Sequence, residues 1–251
     1  MDIEGNWARI KAHRGKLNSM EMQGLAEVLY DKQEEWLEEK LHFRDDKSLA
    51  IEILGYLGQS GSAKAANILL NQMESREEVL LVAAADALKQ CPPALVLEQL
   101  AKIMLRQNQS AIKAGEVLLS FGQVGADVLW RLWFGDNSHS GIKVQILQLL
   151  AETKDKRAVP LAFLAFLSEE EELIRTALIA AEKLEAGSLW GNVALCLKNT
   201  SWKLRGRAAR LLGQWHEKRA LAFLREMGAD PDPWVEEERK KAMALLENAA
   251  L

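Results

Sequence analysis

Basic residues and tryptophans concentrate in residues 198–225, and both residue types are common where proteins bind anions or one another. Eight lysines and arginines are accompanied there by a single acid, Glu217, so the segment carries a local charge of +7 in a chain of formal net charge -4. Trp202 and Trp215 lie in the same segment. It forms either a patch for phosphates or an acidic partner, with indole rings available for stacking, or a solvated surface whose charges pair with glutamates.

Residue types that would support catalysis or metal binding are scattered. The four histidines form no HxxxH or HExxH pattern, and Cys91 and Cys196 form no CxxC pair. No GxGxxG and no P-loop occurs. We therefore predict no catalytic residue, no metal site and no cofactor. No apolar run reaches the roughly 18 residues of a membrane span. The lack of a signal-peptide pattern and of paired cysteines favours a cytoplasmic protein.

A repeat of about 31 residues dominates the sequence and indicates a helical array. Once in each repeat, an aliphatic residue, often followed by a basic one, opens a pattern rich in Ala and Leu. These markers are Leu49, Val79, Ile112, Ile142, Ile174, Leu204 and Val235. A second pattern agrees, because Lys156-Arg157-Ala158 and Lys218-Arg219-Ala220 open helices that lie two repeats apart.

Each repeat contains two helical patterns. Residues 157–167 are apolar on most sides, as in a short helix packed between neighbours. The following segment is amphipathic, with apolar residues at spacings of three and four: Leu173, Ala177, Ala180, Ala181 and Leu184. Two short helices cannot bury their apolar faces alone, whereas stacked pairs share one core. We therefore predict an all-α, right-handed α-solenoid of about six or seven hairpins over residues 43–251. Residues 1–42 would form an N-terminal helical cap. First helices would line the convex face and second helices the concave face.

The pattern resembles the HEAT-repeat family in its short bacterial form, which also appears in phycobilin-lyase subunits. The resemblance covers roughly residues 43–249 and rests on short motifs at helix starts and ends: Ile142-Lys143, Ile174-Arg175, Leu204-Arg205, Leu54-Gly55-Tyr56-Leu57-Gly58, Leu211-Leu212-Gly213-Gln214-Trp215 and Lys156-Arg157-Ala158-Val159-Pro160-Leu161. It implies a non-catalytic scaffold or adaptor that binds a protein partner through the concave face of the solenoid.

The basic residues that follow the aliphatic markers are predicted to occupy one place in each repeat and to line one face. They are Lys113, Lys143, Arg175 and Arg205. In HEAT-like proteins such residues pair with carboxylates or amides of adjacent turns, which is the favoured interpretation, and a charged ladder that steers an acidic partner is the alternative. The predicted partner-binding residues are these four together with Trp202, Lys203, Arg207, Arg210 and Trp215. Trp202 lies five residues before Arg207, so they cannot all share one helix face.

Two other functions remain open from the resemblance. One HEAT-like family consists of DNA glycosylases for alkylated bases, which use a carboxylate beside tryptophans in a basic groove. Here Trp130 and Trp133 lie near Asp127 and Asp136. Core packing of both tryptophans is the favoured interpretation, because the acidic remainder of the chain suits a duplex poorly. A bilin-lyase-like accessory subunit is the other function. Deoxyhypusine hydroxylase resembles the chain in fold only, since it needs several His-Glu pairs and this sequence has one, at residues 216–217.

Overall fold

The computed structural model of the chain describes residues 47–106, 108–136 and 138–248. Every regular element in this part of the chain is a helix. The chain divides into two compact units, of which unit 1 ends at Asn137 and unit 2 begins at Ser138. The predicted N-terminal cap, residues 1–42, lies outside the described residues.

Unit 1 is built from helices that alternate between two layers. Its helices are α1 (Lys47–Ser60), α2 (Ala63–Gln72), α3 (Glu78–Leu88), α4 (Pro93–Met104), α5 (Gln109–Ser120) and α6 (Gln123–Phe134). The helices α1, α3 and α5, which are second helices of the predicted repeats, pack side by side in chain order. The first helices α2, α4 and α6 do the same, and each also packs against the second helix next to it in the chain.

Unit 2 repeats this arrangement. Its helices are α7 (Ser140–Glu152), α8 (Ala158–Phe166), α9 (Glu171–Lys183), α10 (Trp190–Leu195), α11 (Trp202–Gln214), α12 (Ala220–Glu226) and α13 (Pro233–Asn248). Short 3-10 segments flank α10 at Gly187–Leu189 and Cys196–Lys198. The second helices α7, α9, α11 and α13 form one layer, and the first helices α8, α10 and α12 form the other. Stacked helical hairpins in both units confirm the predicted all-α repeat fold.

The repeat length is the same at every step from α3 to α13 when it is measured from a buried position. The third residue of each of these second helices is buried, and each step between them equals the first, from position 80 to position 111: Leu80, Ala111, Ile142, Leu173, Leu204 and Val235. In three repeats, the aliphatic marker chosen from the sequence lies one residue before or after this buried third residue of the helix. Val79 is 49% exposed and Ile112 is 47% exposed; the third, Ile174, is buried. One residue turns a helix by about 100°, which is enough to move a side chain from the core to solvent.

Small residues let successive second helices approach closely. A Cβ built on Gly58 of α1 would lie 2.5 Å from the carbonyl oxygen of Ala87 in α3. Five repeats later, a Cβ on Gly213 of α11 would lie 2.8 Å from the Cα of Ala242 in α13. The same pair of repeat positions is therefore in close contact in both units. Any larger residue there would push two helices apart.

Three second helices of unit 2 end with a residue other than glycine in the left-handed region. These residues are Lys154 (φ 54°), Glu185 (φ 50°) and His216 (φ 52°), each one repeat after the last. The backbone N–H of the next residue then donates to a carbonyl inside the preceding helix, for example from Ala186 to Ala181 at 2.9 Å. This bond is the six-to-one bond of a Schellman motif, which usually carries glycine at the left-handed position.

Replacing Gly58 by alanine is expected to destabilise the protein, because the added Cβ meets the backbone of Ala87 rather than a movable side chain. Overpacking of this kind lowers the free energy of unfolding by about 1–3 kcal/mol. Gly55 in the same helix is the matched control, since its Cβ would have no neighbour within 4 Å. Gly55→Ala should raise the free energy of unfolding by about 0.5–1 kcal/mol through helix propensity. Urea titration followed by circular dichroism measures both, and equal effects would contradict the close approach.

Replacing Glu185 by glycine is expected to raise the free energy of unfolding by about 0.5–1 kcal/mol, because glycine adopts the left-handed region without the Cβ clash. Glu185→Ala removes the same charge but keeps the Cβ, so it should give no gain. The measurement is the urea midpoint of each variant relative to wild type. A gain in the alanine variant as large as in the glycine variant would show that charge, not backbone conformation, is responsible.

Candidate functional site

The basic side chains of residues 198–225 are interleaved with carboxylates. Six of the eight form an ion pair with an acid: Lys198–Glu226, Arg205–Asp230, Arg207–Glu182, Arg210–Glu182, Arg219–Glu217 and Arg225–Glu247. Apart from Glu217, these acids lie outside the segment in sequence and reach it through the fold. The excess of +7 counted along the chain is therefore not a bare basic patch in space, and the paired interpretation holds for most of it.

Arg205 is bound into the frame of unit 2. Its Nε donates to Oδ2 of Asp230 at 2.7 Å and its Nη2 donates to Oδ1 at 2.8 Å, while Nη1 donates to the carbonyls of Asn199 and Thr200. The side chains of Arg205 and Asp230 are only 15% and 3% exposed. Hydrogen bonds from the guanidinium are the largest cause that lowers the pKa of Asp230 below its usual value. Arg205 thus joins the start of α11 to the turn before α13.

The predicted ladder of four basic residues is not a single row. Lys143 and Arg205 occupy the fourth position of their helices, whereas Lys113 and Arg175 occupy the fifth. The prediction that all four share one place in the repeat was wrong by one residue, for the same reason as the aliphatic markers. Lys113 pairs with Glu116 and Arg175 pairs with Glu172, each one turn away on its own helix. Pairing with an adjacent turn is therefore confirmed for these two.

Arg175, Arg207 and Arg210, hereafter the arginine cluster, lie on the neighbouring helices α9 and α11, and the last two share the carboxylate of Glu182. Nη1 of Arg207 lies 3.8 Å from Oε2 of Glu182, and Nη2 of Arg210 lies 3.3 Å from Oε1. Nη1 of Arg207 and Nε of Arg210 are buried and have no hydrogen-bond acceptor within the described residues. Burial is the main cause that lowers the pKa of Arg207. Glu182 opposes this shift, and the charges of Arg210 and Arg175 add to it.

The arginine cluster lies on the outward side of the second-helix layer of unit 2. Residues 175, 179 and 182 follow one side of α9, and residues 203, 207, 210 and 214 follow one side of α11, which packs beside α9. The side chains along these two rows are half-buried or exposed, with Ile179 as an apolar member and Gln214 as an exposed polar one. We call this surface the second-helix face. It combines guanidinium, carboxylate, amide and aliphatic groups.

Trp202 lies at the first residue of α11 and packs against a second tryptophan. Its ring stands edge-on to that of Trp234 at 5.7 Å and 83°, and Nζ of Lys203 lies 5.7 Å from its centroid. Trp202 is 45% exposed. A Cβ on Gly206 would lie 2.0 Å from Trp234, so glycine makes room for that ring on α11. The packing of Trp234 against α11 was not predicted from the sequence.

The predicted binding residues are thus divided among separate places. Trp202 and Lys203 lie at the N-terminal end of α11, Arg207 and Arg210 lie along its middle, and half-buried Trp215 follows its last residue. Arg205 points to the turn before α13. The fold brings Arg175 from α9 together with Arg207 and Arg210, which spacing along the chain did not show.

Among the residues that suggested a base-excision enzyme, Trp133 belongs to the core of unit 1. Trp130 packs against Phe134 with 5.5 Å between ring centroids. Asp127 accepts a hydrogen bond from the side chain of Gln123. Core packing was the favoured interpretation for both tryptophans; it is confirmed for Trp133, whereas Trp130 is only half-buried. Asp136 is exposed and lies in the turn after α6.

The described residues hold neither a cluster of metal-ligating side chains nor a helix able to span a membrane. Over residues 47–106, 108–136 and 138–248, no three His, Cys, Asp or Glu side chains are grouped so that they would hold a metal ion. No helix within these ranges combines the length and the apolar character needed to cross a bilayer. Both cysteines are free and buried, and burial raises the pKa of Cys196 to about 12.

No protein-family model matches this chain, and no curated protein matches it. Several solved structures are similar to it. The archaeal HEAT-like repeats protein from Thermococcus onnurineus NA1 is 14% identical, with a TM-score of 0.44 over 95% of this chain and 100% of that one. The designed armadillo repeat protein YIII(Dq)4CqI is 16% identical, with a TM-score of 0.38 over 84% and 98%. The complex of CpcE and CpcF of phycocyanin lyase from Nostoc sp. PCC7120 is 16% identical, with a TM-score of 0.36 over 93% and 95%. The repeat fold itself is established by the helix packing within each unit.

Replacing Asp230 by asparagine is expected to lower the free energy of unfolding by about 3 kcal/mol at pH 7, because it leaves the buried Arg205 without its anion. Since Arg205 lowers the pKa of Asp230, this stabilisation is complete above the unfolded pKa of about 4 and is lost as the pH falls through the folded value. The difference between wild type and the variant should therefore shrink below about pH 4. Urea titrations from pH 7 to pH 3 measure this difference.

Asp86→Asn, which breaks an exposed pair with Lys89, is the control and should lower the free energy of unfolding by at most about 1 kcal/mol. A difference independent of pH would contradict this role of Asp230.

Proposed function

We propose that this chain is a non-catalytic scaffold that binds a protein partner through the second-helix face of unit 2, centred on the arginine cluster. The observation that carries the proposal is the grouping of three partly exposed arginine side chains on this face: those of Arg175, Arg207 and Arg210 are 38%, 29% and 36% exposed. Arg175 pairs with Glu172, while Arg207 and Arg210 share the single carboxylate of Glu182. Guanidinium groups that stay partly exposed in this way are able to pair with an anion on a partner's surface.

The composition of this face favours a protein over a nucleic acid. Carboxylates stand among the arginines: Glu182 lies within the cluster, Glu172 pairs with Arg175, and Glu152 of the neighbouring helix pairs with Lys183. A phosphate backbone places a charge at every nucleotide and would meet these acids as well as the bases. A protein surface is able to place one anion at the cluster and neutral groups beside it. The formal net charge of -4 also opposes binding of an extended polyanion.

The groups on this face are also types that carry binding energy in protein interfaces. Arginine and tryptophan are enriched among hot-spot residues. Arg207 and Arg210 lie on the middle of α11 and the exposed Trp202 lies at its start, so a partner that lies along this helix would meet both kinds of side chain. Because α9, α11 and α13 belong to one packed layer, these groups are held on a rigid surface and lose little freedom on binding.

Charge reversal at the cluster tests the proposal. The protein is used to capture partners from a lysate of its source organism, and a captured protein is then purified and titrated against variants. Arg207→Glu combined with Arg210→Glu is expected to weaken binding at least about tenfold, because two attractions become repulsions. Lys218→Glu is the control, as it changes an exposed lysine in the turn before the first helix α12; it should leave the affinity unchanged.

A photo-crosslinking amino acid provides a second readout. Placed at Gln214, which is exposed on α11, it should react with the partner, and placed at Phe163, exposed on the first helix α8, it should not. Crosslinks from position 163 alone would overturn the proposed face. Tight binding of a duplex oligonucleotide with a steep fall between two salt concentrations would show that the ligand is a nucleic acid instead.

A further inference from the structure

We infer that two copies of this chain associate through the exposed side of the first helix α8, with the two α8 helices packed antiparallel across a two-fold axis. This inference goes beyond the proposed function, because it concerns the first-helix layer of unit 2 and not the second-helix face. It assigns an occupant to an apolar surface that the fold leaves open.

The exposed side of α8 consists of apolar side chains. They recur at spacings of three and four, which place them on one side of the helix, and we call this row the α8 stripe: Pro160, Phe163, Leu164 and Leu167. Phe163 is 44% exposed, and Leu167, which directly follows the last residue of α8, is 64% exposed. The sequence predicts a helix packed on most sides, whereas no described residue covers this side of it.

The apolar surface continues onto the next first helix. Leu195 of α10 follows Leu164 by one repeat step, α10 packs beside α8, and Leu195 is 65% exposed. Together with the α8 stripe it leaves an apolar patch on the order of a few hundred Å², a size at which exposed patches are often functional. Single exposed apolar residues are ordinary, but a row at helical spacing is the face that one helix presents to another.

Charges of opposite sign stand at the two ends of α8. Lysines lie in the turn before the helix and glutamates in the turn after it, and all four are exposed and form no ion pair or side-chain hydrogen bond with any described residue: Lys154, Lys156, Glu169 and Glu170. Arg157, which lies in the first of these turns, is engaged by Asp155. The α8 stripe therefore runs from a basic end to an acidic end.

This order of charges selects both the occupant and its orientation. A second copy carries the same apolar row with the same ends, so an antiparallel arrangement places each basic end on the acidic end of the other copy, as a two-fold interface requires. A parallel arrangement would bring like charges together. A polyanion or an anionic membrane would meet the glutamates as well as the lysines. The surface is thus complementary to itself.

The next repeat has the reverse order of charges and fits the same arrangement. The exposed Glu185 lies before α10, and Lys198 lies beyond its other end. A two-fold axis perpendicular to α8 also places α10 antiparallel to α10 of the second copy, so Glu185 faces Lys198 across the axis. Lys198 is 58% exposed and pairs with Glu226 of its own chain, so this contact belongs to the edge of the interface.

The contact is small and reversible. α8 has nine residues, and small interfaces give weak, transient association, so we expect a dissociation constant in the micromolar range. The α8 stripe and the second-helix face belong to different layers of unit 2. A dimer would therefore present two copies of the second-helix face, which raises the avidity for a partner that carries two binding sites.

Sedimentation velocity on the full chain, from low micromolar to submillimolar concentration, measures the association. Wild type should convert from monomer to dimer. Leu164→Asp combined with Leu167→Asp should raise the dissociation constant at least about tenfold, because it places unpaired carboxylates in the apolar centre of the interface. Val124→Asp is the matched control, at a residue of the first helix α6 that is 52% exposed, and it should match wild type. Circular dichroism confirms that each variant is folded.

Charge exchange tests the antiparallel order. Lys154→Glu with Lys156→Glu makes both ends of α8 acidic, and Glu169→Lys with Glu170→Lys makes both ends basic. Each variant alone should dimerise at least about tenfold more weakly than wild type. An equimolar mixture of the two should form a heterodimer with a dissociation constant within about threefold of the wild-type value. Recovery by mixing is not expected of side chains that act only within their own chain.

A photo-crosslinking amino acid at Phe163 gives an independent readout. It should join two copies of this chain, with the crosslink in α8 of the second copy, and the partner captured by the second-helix face should not be the species joined there. Crosslinks found only within one chain would show that another segment of the same chain covers the α8 stripe and would overturn the inference.

Three sedimentation results would also overturn it. They are a monomer over the whole concentration range, a mixture of the two charge variants that associates no better than either variant alone, and a Val124→Asp variant that weakens the dimer as much as the double aspartate variant. None of these results affects the proposed function, which is tested by substitutions in the arginine cluster.

Discussion

Close packing of successive second helices at a constant repeat step is the constraint on which the rest of this structure depends. Each second helix from α3 to α13 buries its third residue, and small side chains further along let the next helix approach to backbone contact, as Gly58 does with Ala87 and Gly213 with Ala242. Because each hairpin buries its apolar side only against its neighbours, a change in this step would expose core residues and separate the layers. The irregular parts of the repeat are found in the first helices, where α10 is a short helix between two 3-10 segments.

The stacking of second helices also determines which neighbour each arginine of α11 contacts. Arg205 and Arg207 are two residues apart on α11, which turns them by about 200° around the helix. Arg205 therefore reaches the turn before α13 and is fully engaged with Asp230, whereas Arg207 points along the outward side toward Glu182 of α9. One helix thus supplies an arginine that is bound into the frame of unit 2 and an arginine that lies on the second-helix face. Neither role follows from residue type or from local charge, since both depend on which neighbour the stacking places opposite.

The described chain has two kinds of energetically unfavourable local feature: residues other than glycine in the left-handed region, and buried donors without an acceptor. Residues other than glycine in the left-handed region recur at the ends of α7, α9 and α11, where a regular hydrogen bond accompanies each of them, so they belong to the architecture of the repeat. The poorly satisfied donors of Arg207 and Arg210 follow no such repeat. The buried donors of Arg207 and Arg210 are therefore a local feature of α11 and not part of the repeat.

The sequence by itself determined the helical class, the mean repeat length and the alternation of first and second helices, because apolar spacing along a helix is a local property. The family resemblance also implied that basic residues such as Lys113 and Arg175 pair with acids or amides of adjacent turns. The sequence pattern placed the repeat markers one residue off at three positions, since aliphatic neighbours such as Leu173 and Ile174 look alike until one knows which of them faces the core. Only the tertiary structure showed that acids from other elements pair with most of the basic residues in 198–225, and that Arg207 and Arg210 of α11 share Glu182 of α9. The residues of α9 and those of α11 belong to different repeats, and the stacking of neighbouring repeats is what brings them together.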